Sequence, residues 1–93
     1  MEVKQNDDGK KGVFIAVDVQ DIAGEMTYVW TNGNTIILDH TEVDSKYGGK
    51  GVGKLLVAEA VKFARENHVK IAPVCPFTKK MFERELSWSD VLV

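Results

Sequence analysis

Polar and apolar positions follow two different rhythms along this chain. The first half alternates, and the alternation is broken by turn residues. Asp7-Asp8-Gly9 is a turn signal between a short first strand, near Glu2 to Asn6, and a second. Val13-Phe14-Ile15-Ala16-Val17-Asp18-Val19 is rich in β-branched residues, and its odd positions form a continuous apolar face with Asp18 on the other side. Gly24–Trp30 follows, with Met26, Tyr28 and Trp30 on one face, and Asn32-Gly33 supplies a hairpin turn. Thr35–Val43 is mostly apolar at its start, as expected of a central strand covered on both faces.

The second rhythm is helical. Val52, Leu56, Ala60, Phe63 and Ala64 recur at helical spacing, and Val57 and Val61 widen the stripe. A helix is expected from about Gly51 to Asn67, with Lys54, Glu59, Lys62, Arg65 and Glu66 outside and Lys62–Glu66 at i,i+4. Asn67-His68 is the stop, where a histidine suits the negative end of the dipole as a solvated residue. Val69–Val74 is a short strand ending around Pro73 and Pro76. Strand, crossover helix and strand make a βαβ unit, so this strand should lie parallel to Thr35–Val43. Phe77–Arg84 is a short amphipathic helix with Phe77, Met81 and Phe82 inward, and the tail Leu86–Val93 is apolar enough to pack back on the sheet.

Composition narrows the field. Ninety-three residues make one domain over 1–93. A formal net charge of −2 argues against a nucleic-acid binder driven by phosphate neutralisation. No apolar run approaches the ~20 residues of a bilayer span. The polar, partly acidic opening Met1–Asp8 is unlike a signal segment. A single cysteine excludes an internal disulfide and suits a reducing cytoplasm. With only two distant histidines beside it, no metal site is expected.

The chemistry is concentrated between the two rhythms. Gly48-Gly49-Lys50-Gly51-Val52-Gly53-Lys54 places four glycines in six residues just before the helix. Glycine lets a backbone approach a ligand closely, and the first helical N–H groups lack intrahelical partners. A phosphate or pyrophosphate is the natural guest. Gly48 through Lys54 matches a nucleotide P-loop, but Leu55 stands where a magnesium-binding Ser or Thr belongs, and no Walker B strand follows. The dinucleotide pattern G-x-G-x-x-G fails in both registers, at Lys54 and at Leu56. A ligand-free glycine turn is the plainest alternative.

The stretch resembles the acyl-CoA loop of the GNAT superfamily of N-acyltransferases, (Gln/Arg)-x-x-Gly-x-(Gly/Ala). Gly51 and Gly53 match its small positions, and Gly48 stands at the leading Gln/Arg. The order of elements agrees, and the run His40-Thr41-Glu42-Val43 and the segment Pro73-Val74-Cys75-Pro76-Phe77 are similar to those of small GNAT-like proteins. The resemblance covers about Gly12 to Glu85. It implies an α+β fold: a mixed, mostly antiparallel sheet with a parallel central βαβ unit, one long helix after the glycine loop and a short C-terminal helix. It also implies acetyl-CoA as cofactor. Gly48, Gly49, Lys50, Gly51, Val52, Gly53 and Lys54 would then receive the pyrophosphate, and Glu42 and Val43 would contact pantetheine between splayed parallel strands. Lys50 and Lys54 either face the phosphates or are solvated surface residues.

An amine acceptor must lose a proton before attacking a thioester. His40 is the candidate base, its alternative being a half-buried structural histidine. Cys75, just before a helix, either accepts the acyl group or protonates the departing CoA thiolate; the plain alternative is a small buried hydrophobe. Three functions follow: an acyl-CoA-dependent N-acyltransferase acting on a primary amine of a small molecule or peptide; a CoA-binding module with little transfer activity, acting with a partner; or an interaction domain with no ligand. Larger GNAT enzymes carry extra N-terminal helices, so the acceptor groove here should be open or completed by a partner.

Overall fold

The computed structural model describes residues 1–93. The turn at residues 7–9 closes because carboxylates take up its loose amides. Asp7 Oδ1 accepts from the Gly9 amide at 2.7 Å, and Asp8 Oδ1 from the amides of Lys10 and Lys11 at 2.9 Å. This turn joins β1 (Glu2–Asp7) to β2 (Lys11–Asp18). β3 (Asp21–Thr31) and β4 (Thr35–Val43) are joined through Asn32 and Gly33, both left-handed with φ of 55° and 75°. A 3₁₀ turn (Ser45–Tyr47), α1 (Val52–Asn67), β5 (Lys70–Pro73), α2 (Pro76–Arg84) and a final 3₁₀ stretch (Leu86–Val91) follow. Strand order is β1-β2-β3-β4-β5, antiparallel up to β4, with β4 and β5 parallel from Thr35–Lys70 to Leu38–Pro73.

α1 forms the crossover and ends where His68 turns left-handed at φ 56°. Its buried residues Val52, Leu56, Val57, Ala60, Val61 and Ala64 form the expected stripe. They meet Phe14, Ala16, Met26, Tyr28, Ile36, Leu38 and Ile71, which point at α1 from the sheet. Each large aliphatic chain so buried contributes about 1.5–3 kcal/mol. Phe63 closes one end, with its ring 6.1 Å from Phe14 and 6.0 Å from Trp30. No ion pair joins Lys62 to Glu66; Arg65 instead binds Asp90 of the tail at 2.8 Å. The tail also packs Trp88 against Phe82, with centroids 5.9 Å apart, and the Val93 amide donates to Ile71 O at 3.1 Å.

Two expectations about faces are corrected. In β2 the even positions Phe14 and Ala16 are buried, while Val13, Ile15 and Val17 are only half-buried. In β4, Ile36 and Leu38 are fully buried, but Thr35 and Ile37 are not. The reason is common to both: the core lies between the sheet and α1 on one face, and the opposite face has no covering layer. Phe77 departs too, since it is 39% exposed while Thr78 takes the buried position on α2.

Candidate active site

The site begins with an irregularity in β4. Tyr28 lies opposite Leu38 and Thr27 opposite His40, so Asp39 is an extra residue, a β-bulge. Thr27 Oγ1 donates to its carboxylate at 2.6 Å. The bulge inverts the strand's alternation. Beyond it, Thr41 opposes Met26 and faces the α1 side, whereas His40 and Glu42 oppose Thr27 and Glu25 on the uncovered side.

The parallel ladder stops at the same level. Leu38 O accepts from the amides of both Val74 and Cys75 at 3.1 Å, and pairing ends at Leu38–Pro73. β4 runs on to Val43 with no strand beside it on that edge. The ladder therefore has a gap beyond Leu38, where β4 presents a free strand edge.

Cys75 stands at this gap as the residue preceding α2, 9% exposed. Thr78 Oγ1 donates to its carbonyl at 2.9 Å and holds the first turn. Burial pushes the Cys75 thiol up, but the amides of Thr78 and Phe77, then the hydroxyl and amide of Thr41, outweigh it and hold the thiol below its ordinary range.

The loop after β4 is built to leave amides free. Asp44 Oδ1 accepts from the Lys46 amide at 2.9 Å and starts the 3₁₀ turn, and Tyr47 is buried with its hydroxyl 3.0 Å from Asp18 Oδ2. Gly49 and Gly51 then take φ of 75° and 78°, a region closed to most side chains. Gly51 caps α1 without a side chain. The amides of Gly49, Gly51, Val52, Gly53 and Lys54 donate to no carbonyl of the chain, while that of Lys50 is taken by Tyr47 O at 3.2 Å. Gly53 is small for another reason: a Cβ there would overlap the Phe77 ring, so this position fits α1 against α2. Gly48 has an ordinary φ of −58°, and a Cβ there would meet only Ser45 O at 3.4 Å.

The lysines divide. Lys54 Nζ lies 3.3 Å from Glu85 Oε1, so its charge is partly compensated, whereas Lys50 Nζ stands 5.7 Å over the Tyr47 ring. His40 is separated from Cys75 by β4 itself. Its side chain is 66% exposed on the uncovered face, with Nε2 3.6 Å from Glu42 Oε2. The structure therefore brings together the glycine loop, Val43 and Cys75 on the α1 side and puts His40 and Glu42 on the other. Sequence reasoning missed Thr41; only its place in the run from His40 to Val43 hinted at it.

A parallel strand pair that parts at a bulge, followed by a glycine loop opening the crossover helix, defines an acyltransferase fold of the GNAT kind. The sequence profile of the GCN5-related N-acetyltransferases matches residues 13–91, and the chain belongs to that family. The family is one of N-acetyltransferases that take their acetyl group from acetyl-CoA. The chain is similar to a GCN5-like candidate N-acetyltransferase from Staphylococcus aureus, at 40% identity and a TM-score of 0.76, over 99% of this chain and 87% of that one. At 20% identity it shares the fold of a ribosomal-protein-alanine N-acetyltransferase from Brucella melitensis biovar Abortus 2308, with a TM-score of 0.70, over 84% of this chain and 62% of that one. An aminoglycoside N-acetyltransferase in complex with CoA shares the fold at 17% identity and a TM-score of 0.61, over 80% of this chain and 65% of its own. No curated protein matches the chain. No helix is long and apolar enough to cross a membrane.

Proposed function

We propose that residues 1–93 form one acetyl-CoA-binding domain, acting in the cytoplasm, that transfers the acetyl group to a primary amine of a small molecule or peptide by way of Cys75. The observation that carries this reading is the end of the β4–β5 ladder at Leu38, directly beside the buried Cys75 at the start of α2. The chain's groups fit the cofactor. Free amides of Gly49, Gly51, Val52, Gly53 and Lys54 suit a pyrophosphate, the Lys50 ammonium adds charge, and Gly48 leaves room beside them. The edge at Glu42 and Val43 suits the amides of pantetheine. Acetyl-CoA supplies the activated acyl group.

Cys75 Sγ, as thiolate, forms a bond to the acetyl carbonyl carbon; the bond to the CoA sulfur breaks, and that sulfur leaves with the electron pair and takes a proton from water. The acceptor ammonium reaches the α1 side of β4, where Cys75 lies, and gives one proton to water. The amine nitrogen then attacks the acetyl carbon, Cys75 departs as thiolate, and the second proton passes to solvent. Loop and gap bind and orient, and Cys75 carries the acetyl group.

The test has two parts. In an NMR titration, acetyl-CoA should shift Gly48–Lys54, Thr41–Val43 and Val74–Cys75, and ATP with magnesium should not. Intact mass should then show one acetyl group on wild type and none on Cys75→Ser. His40→Ala should acquire the acetyl group and pass it to an amine within about twofold of the wild-type rate, because β4 separates the imidazole from the sulfur. The uncovered sheet face favours a second reading, a CoA-binding module that acts with a partner. Shifts with acetyl-CoA but no acetyl on Cys75 and no amide product would select that reading. Shifts with neither nucleotide would defeat both.

A further inference from the structure

We propose that Thr41 is the positioning residue for Cys75, its buried hydroxyl held without a partner so that it donates to the sulfur when the sulfur carries charge. This deepens the proposed role of Cys75 and rests on it. Thr41 Oγ1 is buried and makes no hydrogen bond in the resting structure, alone among the buried side-chain oxygens and nitrogens of the molecule, yet it lies near enough to Cys75 to favour the charged sulfur. An orphaned buried hydroxyl is costly and calls for a reason. The bulge at Asp39 supplies one, because it turns Thr41, rather than His40, toward the α1 side where the thiol lies.

A neutral thiol accepts hydrogen bonds poorly, whereas a thiolate accepts them strongly. The Phe77 and Thr78 amides are fixed by α2, but a hydroxyl rotates about its own bond and can follow a change at sulfur. It gains a partner as the thiolate forms and loses it when the sulfur becomes a thioester. Both steps of the transfer benefit: the attacking thiolate is populated, and Cys75 leaves more readily as a thiolate. No charged side chain competes for this work. His40 and Glu42 project from the opposite face of β4, Lys79 and Lys80 are exposed on α2, Lys54 is paired with Glu85, and Lys70 of β5 donates to Asp90 O. Burial, amides and the hydroxyl set the state of the sulfur.

The test needs no acyl-CoA. The rate of alkylation of Cys75 by iodoacetamide is measured against pH in wild type, Thr41→Val and Thr41→Ser. Valine keeps the shape without the hydroxyl; serine keeps the hydroxyl. The expected result is a profile displaced to higher pH in Thr41→Val, with a rate at neutral pH about tenfold lower, and a Thr41→Ser profile within about twofold of wild type. Thr41→Ala should behave as valine does if valine fails to fold. A purely structural orphan would give the opposite pattern, a higher Tm for Thr41→Val with an unchanged profile, and that result overturns the inference. So does an equal displacement in the valine and serine variants. Failure of the wild type to acquire an acetyl group, with the hydroxyl dependence intact, would remove the transfer reaction and leave the Thr41–Cys75 pairing standing.

Discussion

The glycines of the loop are alike in sequence and unlike in purpose. Gly53 is required by contact, since a methyl group there would meet the Phe77 ring. Gly53→Ala should cost about 1–3 kcal/mol, read as a lower midpoint in denaturant. Gly51 is required by its backbone, at φ 78°, with nothing within 4 Å of a Cβ. Gly51→Ala should cost about 1–2 kcal/mol through strain alone. Gly48 is required by neither, so Gly48→Arg should fold normally. With its guanidinium near the phosphates, it should tighten acetyl-CoA binding about two- to fivefold by calorimetry. An unchanged Kd would mean that position 48 lies away from the phosphates. The glycine count was plain in the sequence; these three different reasons depend on backbone angles and neighbours that no local pattern reveals.

Among the elements, those with a single rhythm were legible and those with a doubled one were not. α1 lies within a residue of its expected start and ends at Asn67, because only one phase of its apolar residues makes a stripe. The hairpin loops fell where Asp-Gly and Asn-Gly placed them. β2 offers apolar residues in both phases, so its buried face was decided by α1 and by Phe14 meeting Tyr28 with centroids 5.3 Å apart. The bulge left no trace, since Asp39 is neither glycine nor proline, and the face of His40 was therefore unreadable. α2 was expected from its pattern, but Thr78, its buried anchor, was not. Thr78 Oγ1 holds the Cys75 carbonyl at 2.9 Å, so Thr78→Val should lower stability by about 1–3 kcal/mol in urea unfolding.

At the scale of the whole molecule, one carboxylate ties the sheet's first turn to its third strand. Asp7 accepts from the Tyr28 hydroxyl, the Trp30 indole at 2.8 Å and the Gly9 amide, while Gln5 donates to Tyr28. Burial opposes the charge on Asp7, but the hydrogen bonds from Tyr28, Gly9 and Trp30 outweigh it and hold the carboxyl below its ordinary 3.8. A depressed carboxyl contributes stability that is present above the unfolded value and lost as pH falls through the folded one. Burial and then the Asp7 bond push the Tyr28 phenol from 10.0 up to about 12, a contribution present below pH 10 and lost as pH rises toward 12. Thermal midpoints against pH should show both limbs. Asp7→Asn should flatten the acid limb and Tyr28→Phe the alkaline one. A wild-type acid limb unchanged in Asp7→Asn would shift the explanation to Asp90, which Arg65 also holds low.

The extra residue in β4 can be regarded as a removable spacer. Taking out Asp39 would leave Leu38, His40 and Thr41 on the faces they now occupy and remove the bulge together with its hydrogen bond from Thr27. The chain thus carries its own comparison: a version one residue shorter, with every reactive group retained and the bulge withdrawn.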